Sequence, residues 1–465
     1  SYWDAPFPRS RGSAAKYNKN LKYRWLYSII VPAKCNPSAP KSRKTGSFSP
    51  NIRAGDHILG HILFIIIHLP RERKGGVALP GGLWYTKVQL KSLLQRSIFL
   101  MSFTLKAYHA PDFDVPALRD APDAQLAPVV KDGVAPAGYH ALGISPEYFK
   151  VNGRWILARE SRMDCVPVLR SPEEIEVVEF RRLKAGDRVF LGRTEDGSQG
   201  IYVHFDGFAD PDEGPGQNFA FRQGRSRETG FSRDYREIAQ LLQYEKEHGG
   251  FVSWVMGPAF AFDAAAREAF CKLIKNGYVQ AVLAGNALAT HDLEGAYLHT
   301  ALGADIDSQT PLFNGHYHHL DTLNRVRECG SIPAFMKAEG LNDGIICTCV
   351  SENIPFVLVG SVRDDGPLPE TMGNVYEGQD AMRAQVRKST TVIGMATVLH
   401  TIATGNMTPS FRVLADGTIR PVYFYTVDVS EFAVNKLSDR GSLLAKGIVA
   451  NVQDFVTKVA AELGL

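Results

Sequence analysis

The strongest constraint on this chain's fold is a unit that recurs through its last two hundred residues: a short apolar run, a Gly or small-residue turn, then polar groups. The clearest copy is Val279–Glu294, VQAVLAGNALATHDLE. Val279–Ala284 has the length and β-branched content of a buried strand. It ends in Gly285-Asn286, and His291, Asp292 and Glu294 follow within a few positions. Phe356–Pro367, Val392–Asn406 and Tyr423–Asp428 repeat the design. In open α/β sheets, ligands sit outside the carboxyl ends of strands, and a glycine there lets a ligand approach the backbone. One such end is more often a tight turn than a site, and a His-Asp pair is often a structural hydrogen bond. Four ends in one domain point to strand termini converging on one pocket.

The same residues, 251–465, alternate strand and helix patterns. Phe251–Met256, Gly344–Cys349, Phe356–Gly360, Val392–Ala396 and Tyr423–Asp428 read as strands. Asp263–Asn276, Leu320–Cys329, Ile332–Glu339, Gln379–Lys388, Val398–Thr404, Val429–Leu437 and Gln453–Leu463 read as helices. This alternation predicts an α/β domain with a mostly parallel sheet covered on both faces. Neither GxGxxG nor GxxxxGK[ST] occurs, so a dinucleotide would be held by a different set of loops. Ahead of this domain, 133–208 predicts a small β domain. Its hairpin signal is Asn152-Gly153 between alternating apolar runs. Met163-Asp164-Cys165 falls in a possible strand, with Cys165 either a core thiol or facing the main pocket. Residues 101–132 read as a surface segment, and 209–250 as a linker followed by a helix from Ser232 towards His248.

Overall composition is that of an ordinary globular enzyme, 45% hydrophobic and 22% charged. The net charge of +3 hides an asymmetry. Residues 1–100 hold 17 Lys/Arg against 3 Asp/Glu, and the remainder holds 35 against 46. Met101 is the first of the eight methionines. The apolar run Ile58–Leu69 is shorter than the roughly 20 residues a spanning helix needs. Three readings of 1–100 stay open: translated upstream sequence ahead of a protein starting at Met101, a basic disordered arm, or an organelle-targeting extension. No nucleic-acid or membrane partner is expected for the remainder. The six cysteines include no CxxC pair, which fits a reducing cytoplasm. Cys347 and Cys349, inside a strand, would point the same way. Gly315–Leu320, GHYHHL, sets three imidazoles close together. A metal site lacks companion carboxylates at ligand spacing, so none is expected. His316 or His318 as an orienting group or proton shuttle, and a packing role, remain.

AGNALATHDLE, GHYHHL, GSIPAFMKAEG, PFVLVGSVRDDGPLP, QDAMR, LHTIATGNMTPS and DRGSLLAKGIV together resemble a family once labelled a conserved region of lysine-oxoglutarate reductase/saccharopine dehydrogenase. Its members include archaeal-type ornithine cyclodeaminases. The resemblance covers about Gly133 to Leu465. It implies a Rossmann-like, NAD-binding sheet of deoxyhypusine-synthase shape behind a small β domain. It further implies conversion of L-ornithine to L-proline and ammonia, with NAD recycled. A sheet of this kind usually pairs with copies of itself, so a homo-oligomer is expected. Carried over by motif, Gly257, Gly285, Asn286 and Ala287 would line the dinucleotide. Gly360, Ser361, Asp364 and Asp365 would form a second wall, and Thr404, Gly405 and Asn406 a third. Asp428 would accept ribose hydroxyls. His291 and Asp292 would transfer protons, with His316 beside them. Asp364 or Asp365 would hold the distal ammonium, Arg363 or Arg440 the carboxylate, and Glu294 would face the substrate. Phe262-Asp263, Val427–Glu431 and Arg222–Thr229 depart from the family pattern and bear on substrate choice. A net dehydrogenase, an aminoalkyl-transfer enzyme and a non-catalytic NAD sensor remain alternatives.

Overall fold

Residues 125–203 form antiparallel strands: β1 (Gln125–Pro128), β2 (Glu147–Val151), β3 (Arg154–Leu157), β4 (Val166–Ser171), β5 (Glu174–Val178), β6 (Arg188–Leu191) and β7 (Ile201–Val203). They make a four-stranded sheet, β1-β6-β4-β5, and a three-stranded sheet, β3-β2-β7. The β2–β3 turn has Asn152 at φ 52° and Gly153 at φ 74°, the left-handed pair a two-residue hairpin requires. Met163-Asp164-Cys165 is a turn ahead of β4, with Asp164 at φ 65°. Cys165 is buried in the core between the sheets, and burial pushes its thiol up to about 11. It is therefore a core thiol of the small β domain. The structure, a computed structural model, describes residues 103–209, 232–364, 366–438 and 442–465, plus the backbone of a short ladder, Val77–Ala78 on Trp84–Tyr85. Contacts divide the chain into Ser1–Leu90 and Lys91–Leu465. The expectations for residues 1–100 otherwise lie outside the described residues, as do those for 210–231.

The described residues from Ser232 onward build an α/β layer. Its strands are β8 (Val252–Met256), β9 (Ala281–Gly285), β10 (Phe356–Val359), β11 (Thr371–Met372), β12 (Thr391–Met395), β13 (Tyr423–Asp428) and β14 (Leu444–Val449). Its helices are α1 (Ser232–Glu247), α2 (Ala264–Lys275), α3 (Asn286–Leu298), α4 (His318–Cys329), α5 (Ile332–Glu339), α6 (Ile345–Ser351), α7 (Val375–Val386), α8 (Val398–Met407), α9 (Glu431–Ser438) and α10 (Val452–Glu462). All seven strands are parallel, in the order β11-β10-β9-β8-β12-β13-β14. Every residue of β8 and β12 is buried, the signature of a strand covered on both faces. Side chains start several helices: Asp263 caps α2, Asn374 caps α7 and Asn451 caps α10 by accepting first-turn N–H groups.

One element departs from expectation. Gly344–Cys349 is the start of helix α6, not a strand. Its apolar run is buried all round, so it carries no period that distinguishes helix from strand. A remote carboxylate decides: Asp292 accepts the N–H groups of Ile345 and Ile346. Cys347 and Cys349 consequently point about 200° apart instead of the same way. The short edge strand β11 and the hairpins at 300–305 and 411–421 have no clear sequence signal.

An ionic cluster joins the β domain to the α/β layer. Arg162 and Arg383 share Glu179, Arg181 and Arg182 meet Asp380, and Arg387 meets Glu160.

Candidate active site

Leaving β8, the chain builds β9, β10 and β11 on one side, then β12, β13 and β14 on the other. The topological switch point therefore lies between the carboxyl ends of β8 and β12, where open sheets bind ligands. The two strands end level, with Met256 opposite Met395. Gly257 follows the first and Ala396 the second. Ala396 has φ 51°, a left-handed conformation an L-residue rarely adopts, and such strain clusters at functional sites. A Cβ on Gly257 would stand 2.0 Å from the Ala396 carbonyl oxygen, so only glycine fits.

Beside this crevice, Gly285 precedes α3, and no side chain caps that helix start. A Cβ on Gly285 would stand 2.7 Å from His400 Cε1, so the imidazole lies over the strand end. His400 comes from the first turn of α8, whose start also has no side-chain cap. Burial lowers the His400 pKa, and the Asp364 charge opposes this in part. Asp364 is fixed by the Ser361 N–H at 2.6 Å, and Ser361 Oγ accepts the Arg363 N–H. The Gly360 N–H donates to the Met372 carbonyl. Asn286 is buried, and its Oδ1 accepts from the Leu368 N–H and the Thr371 hydroxyl, tying β9 to the β11 approach. Asp428 closes β13 and accepts the Ser430 N–H. These residues suit a dinucleotide. Two helix starts with open N–H groups can take a pyrophosphate, and glycines clear the backbone at the crevice.

Several expected site residues lie elsewhere. Thr404, Gly405 and Asn406 form the last turn of α8, roughly 9–12 Å along the axis from Val398. They make no third wall at the strand ends. The helix simply runs on through Gly405, and its first turn, Thr397–His400, occupies that place. Asp292 is fully buried. Its Oδ1 accepts from Arg267 Nε at 2.9 Å and Ile345 N at 3.0 Å, and its Oδ2 from Ile346 N at 2.8 Å. Consecutive helical residues diverge by about 100°, so Asp292 faces the core and forms no proton-transfer pair with His291. Glu294 is buried with its acceptor sites taken, so it is a structural anchor and not a substrate-facing group. His316 is exposed against the Tyr317 ring. Ala287 is half-buried on the first turn of α3. Asp365 and Arg440 lie outside the described residues.

His291 belongs to a second cluster, about 7.5 Å down α3 from Asn286. Its Nδ1 lies 2.9 Å from Glu294 Oε2. Its ring meets the Phe262 ring edge-on at 5.6 Å and the His319 ring at 6.0 Å. The departing pair Phe262-Asp263 is thus split in role, since Asp263 caps α2. Glu294 also accepts from Thr300 Oγ1 at 2.9 Å and from the Leu302 and Gly303 N–H groups. Burial pushes the Glu294 pKa up, but the hydrogen bonds from His291, Gly303 and Thr300 outweigh it and hold the carboxyl below its usual range. Thr300 Oγ1 also lies 2.9 Å from His318 Nδ1. The loop is pinned where Gly303 and Gly315 touch: a Cβ on Gly315 would stand 2.0 Å from the Gly303 carbonyl oxygen. Among the described residues, no group of three His, Cys, Asp or Glu could hold a metal ion.

Sequence reading missed two participants. His400 lies within LHTIATGN, where the stronger local signal, Gly405-Asn406, comes five residues later. Thr300 gives no local signal, because its importance comes from a loop returning over α3.

Residues 236–459 match the family model described as arginine dihydrolase ArgZ-like, C-terminal, Rossmann fold. The chain is 35% identical over 350 residues to an ornithine cyclodeaminase of Methanococcus maripaludis, spanning 73% of this chain and 79% of that protein. It is 33% identical over 357 residues to the bifunctional arginine dihydrolase/ornithine cyclodeaminase AgrE of a Nostoc species, spanning 74% of this chain and 47% of that protein. A crystal structure of a conserved LOR/SDH protein from Methanococcus maripaludis superposes with a TM-score of 0.66 at 34% identity, covering 74% of this chain and 98% of that one. With a doubly wound parallel sheet and this extent of shared sequence, the chain belongs to the family of the archaeal ornithine cyclodeaminases and the ArgZ-like C-terminal Rossmann domains.

Proposed function

We propose that this chain binds NAD at the β8–β12 crevice and converts L-ornithine to L-proline and ammonia with no net redox change. The observation that carries this reading is the switch point itself, where Gly257 meets Ala396 and His400 covers Gly285. Bound NAD supplies a hydride acceptor that later returns the hydride. The chain supplies the rest. The open N–H groups of α3 and α8 receive the pyrophosphate. Asp428, at the end of β13, accepts ribose hydroxyls, a role acidic groups take at comparable strand ends. His400, kept neutral by burial, can exchange a proton at the strand end. Asp364 offers negative charge to an ammonium, and Arg363, exposed on the same loop, a planar fork to a carboxylate. An amino acid is the partner, copies of the chain pair with one another, and the cytoplasm is the compartment. No described helix is long and apolar enough to cross a membrane.

The test is turnover of the purified full chain with L-ornithine and substoichiometric NAD. Proline and ammonia should appear in equal amounts with no net NADH. Stoichiometric NADH would make it a net dehydrogenase. NAD binding without turnover of any diamino acid would make it a sensor.

A further inference from the structure

His291 lies at the end of a closed hydrogen-bonded array. The Glu294 carboxylate accepts four hydrogen bonds, from His291 Nδ1, Thr300 Oγ1, Leu302 N and Gly303 N. An ionised carboxylate has no proton to give, so His291 must carry its hydrogen on Nδ1. Thr300 spends its single proton on Glu294 Oε1. The neighbouring His318 must therefore donate from its own Nδ1 to the same hydroxyl oxygen. Protons are thus ordered from His318, half-buried near the surface, through Thr300 and Glu294 to His291. The groups facing His291 are Glu294 on its own helix, Phe262 from the turn before α2, and His319 from α4. Nδ1 of His319 is buried without a hydrogen-bond partner, leaving open polar capacity beside His291.

We propose that Glu294 is a positioning residue that fixes His291 as the Nδ1–H tautomer, leaving Nε2 as a proton acceptor, with Thr300 and His318 completing the array. The tautomer stands on geometry alone, whereas its use in catalysis rests on the proposed function. In that use, Nε2 takes a proton from the substrate's α-ammonium. An N–H bond breaks there and an N–H bond forms on the ring. The Glu294 carboxylate balances the imidazolium, and the same proton returns to the departing amine, so no proton is gained or lost.

Two measurements test this on the full chain. In nitrogen-15 spectra of the histidine-labelled protein, with the His291 signals assigned through His291→Asn, Nδ1 should be protonated and Nε2 bare near neutral pH. A protonated Nε2 with a bare Nδ1 overturns the proposal. Glu294→Gln should give a mixed tautomer and lower kcat for ornithine by about 100-fold or more while leaving KM within about threefold. An unchanged kcat with an unchanged pH profile overturns the catalytic use. If Glu294→Gln does not fold, Thr300→Val, which removes one donor, is read by the same spectrum and should weaken the tautomer preference; an unaltered preference counts against the array. Absence of turnover by the wild type would reject the ornithine reading and leave the spectral result to decide the tautomer.

Discussion

Asp292 shows how a residue that looks chemical from sequence can be structural. It pairs with Arg267, which is 4% exposed, and holds two backbone N–H groups at the start of α6. Asp292→Ala would leave the buried Arg267 guanidinium with only the exposed Asp343 carboxylate, 3.1 Å from its Nη1, and removing the buried partner of such a pair costs about 3–5 kcal/mol. Urea denaturation should show this loss, whereas a catalytic role would lower turnover at normal stability. Glu294 and His400 link stability to pH. Glu294 has a folded pKa below its unfolded value. Its contribution is present above the ordinary carboxylate range and is lost as pH falls through the folded value. His400 is also lowered, so the folded chain resists its protonation and stability declines as pH drops below the usual imidazole range. Melting temperatures of wild type and His400→Gln across pH 5 to pH 8 should converge at the top of that interval and differ in slope at its lower part.

Elements whose own residues decide them were readable in advance. Tyr423–Asp428 and Ile332–Glu339 appear with the expected bounds, and Asn152-Gly153 makes the expected hairpin. Alternation of apolar runs with capped helices also gave the parallel sheet. What sequence left illegible depends on distant partners. Helix α6 needs Asp292, some fifty residues earlier, and the Glu294 array needs a loop folding back over α3. Within the candidate site, the glycines at strand ends were legible because a missing side chain is a local fact. The division of roles among His291, Asp292 and Glu294 was not, because it turns on which helix face meets which neighbour. The strand ends carry their own prediction. Gly257→Ala pushes a methyl into a backbone oxygen, which can move only with β12, and overpacking of this kind costs about 1–3 kcal/mol. Gly285→Ala meets only the edge of a side-chain ring, so His400 can swing away. Gly257→Ala should lose both melting temperature and NAD affinity, whereas Gly285→Ala should keep stability and lose affinity, as calorimetry would show.

For the molecule as a whole, the second unit carries both the sheets of the β domain and the crevice, and the Arg162–Glu179–Arg383 cluster ties them together. A shortened protein starting at Met101 should therefore melt cooperatively and retain NAD binding; loss of both would show that the preceding residues are needed. The sheet order has a further consequence. Strands β8 to β11 precede the exposed pair Gly373-Asn374, and β12 to β14 follow it. A nick at this pair yields two pieces, each keeping a run of adjacent strands but only one bank of the cleft. Co-expressed as separate polypeptides, the pieces should reassociate, and cofactor capture should return only in the reunited pair.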